Sequence, residues 1–176
     1  MVTLTFFFYF LATMFAVIGA MRGWSRELLV TFSVVVAIFI INVVERYLPA
    51  VSAFVQTGGV GQFWFRAIII IVLVFFGYQT PNITRIAGNR FVRERFQDSL
   101  LGLFLGALNG YLIVGTLWYF MDQAGYPFPD ISGPSGTEQG QAALRLLEIM
   151  PPTWLDPPII YFAVALAFLF VIVVFI

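Results

Sequence analysis

Two blocks of the chain combine residue types at spacings that suggest either a binding site or unusually close packing. The first is Gly19-Ala20-Met21-Arg22-Gly23-Trp24-Ser25-Arg26-Glu27. Glycines let a chain reverse tightly. Arg22 and Arg26 suit the depth at which guanidinium groups meet anionic lipid phosphates, and Trp24 suits the same interface. Glu27 can pair with Arg26 or with an arginine of the third loop. A tight hairpin with basic anchors is favoured here over a ligand site. The second block is Gly102-x-x-x-Gly106-x-x-x-Gly110. Spacing of four stacks glycines on one helical face, which lets a neighbouring backbone approach closely. Asn109 sits beside that face with a side chain able to hydrogen-bond across the contact. Packing within the chain is the default reading, and dimerisation or docking to another subunit is the sharper alternative.

Two further segments are amphipathic. Across Arg85 to Phe96, the residues Ile83, Ala87 and Phe91 share one helical row, with Val92 and Phe96 on an adjacent one. Arg85, Arg90, Arg93 and Arg95 supply the charge. This pattern predicts a basic helix on a membrane surface, with Arg85, Arg90, Arg93 and Arg95 joining Arg22 and Arg26 as anchors for anionic lipid. From Thr137 to Met150, the residues Ala143, Leu146, Leu147 and Met150 oppose Glu138, Gln141, Arg145 and Glu148. A helix ended by Pro151-Pro152 is expected there, capping the bundle or meeting a partner.

Missing residue types exclude much chemistry. The chain has no Cys, no His and no Lys, and its nine cations are all arginines. Thiolate metal sites, His-ligated haem and Ser-His-Asp catalysis are therefore ruled out. Neither a Walker lysine nor a dinucleotide fingerprint is present. No catalytic residue, cofactor-binding residue or metal ligand is assigned, and an enzyme acting through its own side chains is not expected. Zero net charge gives no support to nucleic-acid binding.

The elements that would position these blocks follow from composition. The 176 residues are 61% hydrophobic and 10% charged, against roughly 25% charged in soluble domains, so the apolar excess must face lipid. Crossing a hydrocarbon core of about 30 Å takes about 20 apolar residues as a helix. Five segments approach this: Leu4 to Ala20, Leu28 to Val44, Phe63 to Tyr78, Leu100 to Met121 and Ile159 to Ile176. Runs such as Ile68 to Phe76 lack the alternation of a barrel strand, and an isolated apolar span must satisfy its own backbone. The expected fold is an all-α polytopic transmembrane bundle of about five spans. The first segment lacks a basic leading region and a clear cleavage site, so it reads as a retained helix.

The arginines set an orientation by the positive-inside rule. The first and third loops hold Arg22, Arg26, Arg85, Arg90, Arg93 and Arg95, whereas the opposite side holds Arg46, Arg66 and Arg145. The amino terminus is thus expected outside and, with five spans, the carboxyl terminus in the cytoplasm. Residues 1–122 form a four-helix core, 123–158 an outer Gly/Pro-rich loop with its amphipathic helix, and 159–176 a last span. The loop from Glu45 to Gln62 is expected along the outer interface, with Gly58 to Gly61 either on the surface or re-entrant. Within the spans only Arg66 looks like a buried charge, and it can snorkel outward. That disfavours a proton-coupled transporter.

The order and spacing of Gly19-x-x-Arg22-Gly23-x-x-Arg26-Glu27 and Asp98-x-x-x-Gly102-x-x-x-Gly106-x-x-x-Gly110 resemble the colicin V production protein family of the bacterial inner membrane. The resemblance spans roughly residues 1 to 122. It implies a role in colicin export and envelope homeostasis without a chemical activity. The leading expectation is a non-catalytic inner-membrane protein with a scaffolding or accessory role in envelope function or secretion. An accessory structural subunit of a larger bioenergetic or transport complex is the alternative, and a passive channel or small-solute carrier ranks third. Expected partners are membrane lipids and a homo-oligomer or larger membrane complex, with no nucleic acid.

Overall fold

The structure, a computed structural model, describes residues 4–79 and 92–175. Among these residues every regular element is helical: α1 (Leu4–Arg22), α2 (Trp24–Tyr47), α3 (Pro49–Gln56), α4 (Gly59–Tyr78), α5 (Val92–Gln123), α6 (Glu138–Leu147), α7 (Pro151–Trp154) and α8 (Ile159–Phe175). Four of them, α1, α2, α4 and α5, are long and apolar enough to cross a membrane, and α8 is a shorter apolar helix. The bundle is therefore all-α and polytopic.

The elements are longer and more continuous than the sequence suggests. Helix α4 begins at Gly59 rather than Phe63, so Arg66 lies two turns inside it. The expected second loop is mostly helical. Pro49 opens α3, where a missing N–H costs nothing, and Gly58 (φ 71°) and Gly59 (φ 72°) turn the chain into α4. Helix α5 starts at Val92, well before Leu100. The described part of the basic amphipathic segment therefore runs straight into the fourth span. Its residues up to Phe91, including Arg85 and Arg90, lie outside the described residues. Helix α6 ends at Leu147, and Pro151-Pro152 open α7 instead of terminating α6.

Helices α2 and α5 carry the core. Val30, Val34, Ala37, Ile38 and Ile41 of α2 are buried against Phe63, Ala67, Ile70 and Val74 of α4 and Leu112, Ile113 and Phe120 of α5. Helix α8 joins through Ile160 and Val164, with Phe39–Tyr161 and Phe32–Phe170 ring contacts to α2. A second cluster forms where α6 covers one end of the bundle: Ala143, Leu147 and Met150 pack on Phe8 and Trp118. Thr137 caps α6 by accepting from Gly140 N–H at 3.2 Å. Trp154 Nε1 donates to Tyr111 Oη at 2.9 Å, and that hydroxyl donates to Ile149 O, which ties the 148–154 segment to α5. The outward rows, among them Phe6, Phe10, Met14, Phe75, Phe76, Phe104, Phe162 and Leu169, are exposed and apolar, as lipid contact requires.

Helix α1 packs along α5 more extensively than any other pair, and glycines set the approach. A Cβ on Gly106 would lie 2.9 Å from Gly19 Cα and 3.1 Å from Ala16 Cα, and one on Gly110 would lie 2.7 Å from Ala12 Cα. Gly102 meets Gly19 and the Cα of Gly23 in the same way, at 3.1 Å from each. These neighbours are backbone atoms, which cannot yield as a flexible side chain would. Gly106→Val should thus force α1 off α5 and cost about 1–3 kcal/mol or more by overpacking. Gly136, with nothing within 4 Å of its added Cβ, should accept alanine without loss. Thermal unfolding of both variants in detergent checks this, and equal midpoints would refute the packing account.

Candidate functional site

The α1–α2 turn and the start of α5 meet at one end of the bundle, where the two sequence blocks become a single contact. Gly23 takes φ 85° and ends α1. The reversal brings Arg22, the last residue of α1, against Glu27 in the first turn of α2, with Nη1 to Oε1 at 2.9 Å. Arg22, rather than Arg26, is thus the ion-pair partner of Glu27; of the third-loop arginines, Arg85 and Arg90 lie outside the described residues. Arg22 also donates from Nη2 to Tyr78 O at 3.1 Å and lies 4.3 Å above the Tyr78 ring, so it closes off the end of α4. Arg22 thus turns into the bundle and binds protein groups, whereas the sequence suggested a lipid-facing anchor.

Glu27 is entirely buried. Its second carboxylate oxygen accepts from Asn109 Nδ2 at 2.9 Å, and the same amide group donates to Glu27 O at 2.9 Å. Thr31 Oγ donates to Asn109 Oδ1 at 2.7 Å. Each carboxylate oxygen of Glu27 thus takes one hydrogen bond, the Asn109 amide nitrogen uses both of its donors, and its oxygen accepts one bond. The fields of the helices add to this order. Glu27 sits in the first turn of α2 and Arg22 at the ends of α1 and α4, each where the helix dipole favours its charge.

Asp98 completes the junction. Gly23 offers α2 no capping side chain, and Asp98 Oδ1, from α5, accepts from Trp24 N–H at 3.2 Å. A Cβ on Gly23 would come within 2.7 Å of the Asp98 carboxylate, so a glycine there serves both the turn and the cap. The next residue, Ser99, donates to Ala20 O at 2.8 Å and satisfies a carbonyl at the end of α1. One dipeptide of α5 thus finishes two helix ends at once.

The other end of the bundle holds a second ion pair. Arg66 grips Glu45 with two bonds, Nε to Oε1 at 2.7 Å and Nη2 to Oε2 at 2.8 Å, while its guanidinium lies 5.2 Å from the Phe120 ring centre. Nearby, burial pushes the Tyr126 phenol up to about 12, against the smaller lowering effect of the Trp118 Nε1 bond at 3.2 Å. Among the described residues, Thr116 is buried with no partner for its hydroxyl, and no group of His, Cys, Asp and Glu is placed to hold a metal ion.

The structure thus brings Asn109 to Glu27 and Arg22, and the glycines Gly102, Gly106 and Gly110 to α1. Among the described residues it does not bring the predicted arginine anchors together, and Arg85 and Arg90 lie outside them. Arg22 is committed inside, Arg26 is half-buried, Arg95 is exposed on α5 and Arg93 lies in α5. Sequence reasoning missed Glu27 as a buried charge, although a signal was present. The buried stripe Val30, Val34, Ile38, Ile41, extended back by one turn, lands on Glu27.

Substitutions at the junction and at Thr116 test these assignments. Glu27→Ala leaves Arg22 buried against an empty site and should cost about 3–5 kcal/mol, read as the midpoint of unfolding in a mixed-detergent titration. Adding Arg22→Ala should recover part of that loss, and strictly additive losses would refute the coupling. Thr116→Val, which removes an unpaired buried hydroxyl at nearly constant shape, should raise the midpoint or leave it unchanged.

The residues in the junction lie within a longer match. Residues 4–135 match the sequence model of the colicin V production protein family. No curated protein and no solved structure matches the chain. The match covers both blocks, the four long apolar helices and the start of the loop that follows α5, and on it the chain belongs to the colicin V production protein family.

Proposed function

We propose that the protein is a non-catalytic scaffold of the bacterial inner membrane that serves colicin production or secretion and envelope homeostasis. The chain's family gives the coarse role, a membrane protein of colicin V production. The observation that supports a scaffold is the use made of polar groups in the spans. The carboxylates of Glu27 and Glu45 and the guanidinium groups of Arg22 and Arg66 are spent on joining one helix to another. Among the described residues the charged groups of the junction are engaged in these helix-to-helix contacts, and that weighs against the carrier reading. The accessory-subunit reading loses its main argument, because the glycine face that would dock a partner is filled by α1.

The scaffold is oriented with the arginine-rich α1–α2 turn in the cytoplasm and the 123–158 segment outside. The natural chain has no cysteine, so single introduced thiols report sidedness without background. Ser135→Cys, at an exposed position, should react with a membrane-impermeant maleimide in spheroplasts. Gln97→Cys, exposed at the other end, should react only in inverted vesicles. The reverse pattern would overturn the orientation. For the role itself, a deletion strain should lose export of a colicin or survival in detergent, and the wild-type gene should restore it. A deletion strain indistinguishable from wild type in both assays would remove the proposal.

A further inference from the structure

Between Arg46 and Arg66, the chain that joins α2 to α4 by way of α3 carries no charge in 19 residues. It is not folded inward either. Of the α3 residues only Val55 is buried, while Tyr47, Leu48, Phe54, Val60 and Trp64 are 45–65% exposed. The last two open a row, Val60, Trp64, Ile68, Ile71 and Phe75, that stays exposed along α4 and follows one helical face. The apolar surface of the connection is thus continuous with the face that α4 turns to lipid.

The level of α3 along the bundle points the same way. Helix α4 has 20 residues, about 30 Å, which is no more than a hydrocarbon core of about 30 Å requires. Its first turns therefore belong to the crossing. The Phe54 ring of α3 packs on Phe65 at 6.1 Å between centres, and its Cζ would lie 3.2 Å from a Cβ added at Gly61. Helix α3 thus lies beside the first two turns of α4 instead of standing off the bundle. Its polar groups are answered locally, as apolar surroundings demand. Gln56 Nε2 donates to Ser52 Oγ at 3.1 Å, and Thr57 Oγ donates to Phe54 O at 2.6 Å. At the two bends the N–H groups of Leu48, Ser52, Thr57 and Gly58 donate to the carbonyls of Val44, Leu48, Phe54 and Val55 in turn.

We infer that α3 and the Gly58–Gly61 bend are sunk into one leaflet, with the acyl chains of lipid as their partner, and do not form a surface loop in water. An apolar helix held at this level displaces lipid in that leaflet alone. The inference depends neither on the secretion role nor on which end of the bundle faces the cytoplasm.

The chain has no native cysteine, so single nitroxide labels can be attached at Ala53→Cys and Val60→Cys, both exposed positions. The full chain is placed in phosphatidylcholine nanodiscs, which open both faces to added reagents. Phe104→Cys on the exposed side of α5 and Ser135→Cys after it serve as the lipid and water references. Collisions of each label with oxygen, which concentrates among acyl chains, are compared with collisions with a water-soluble nickel chelate. At positions 53 and 60 the oxygen rate should exceed the nickel rate several-fold, as at position 104, with the order reversed at position 135. Nickel-dominated collisions at either position put the segment in water and overturn the inference. Collisions suppressed for both reagents overturn it as well, since they mark a second copy or another protein packed over the segment.

Discussion

A carboxylate with no exposed surface governs one end of this bundle. A buried charge is tolerated only when it is paired and hydrogen-bonded, and Glu27 is held in this way, one bond to each carboxylate oxygen, within a network that draws on three other helices. Arg22 comes from α1, Asn109 from α5, and the Tyr78 carbonyl of α4 takes the other donor of Arg22. The pairing in turn needs α1 and α5 close enough for Asn109 to reach, which the glycines at positions 19, 102, 106 and 110 allow. Packing and electrostatics are therefore one requirement at this end, since neither the close approach nor the buried charge is tenable without the other.

Lipid makes the requirement stricter than water would. Apolar side chains gain nothing by turning from acyl chains toward one another, so the hydrophobic effect does not hold these helices together once they are inserted. Close backbone contact and polar bonds must do so. The distribution of partners on α2 reflects this. Its buried face carries valine and isoleucine through the middle, with the ion pairs confined to its two ends. The middle gives shape, and the ends give register against α1, α4 and α5.

Much of this was legible from residues alone. The apolar runs and the absence of alternation were sufficient for a helical membrane bundle, because in hydrocarbon a helix is the only local solution for an isolated span. The glycine ladder and Asn109 pointed to a helix contact. What was not legible is which charge meets which. Glu27 lies one position from Arg26 and five from Arg22, and only the left-handed backbone at Gly23 makes the more distant arginine the partner. Gly59 to Gln62 looks like a loop by composition, which places Arg66 near the start of its span, whereas α4 begins at Gly59. The cap supplied by Asp98 was invisible for a different reason. Its contact is separated from Trp24 by 74 residues, and no local rule connects them.

That separation has a consequence for how the chain is made. Translation proceeds from the amino terminus, so α1 and α2 enter the membrane before the residues that finish them exist. Until Asp98 and Ser99 emerge, the Trp24 N–H of α2 and the Ala20 carbonyl of α1 lack these partners, and until Asn109 follows, the Glu27 carboxylate has only Arg22. The first hairpin must therefore wait at the membrane surface or in the insertion machinery with its polar end in water. The arrival of α5 then supplies these partners, which makes the fourth long span the one that completes the first hairpin.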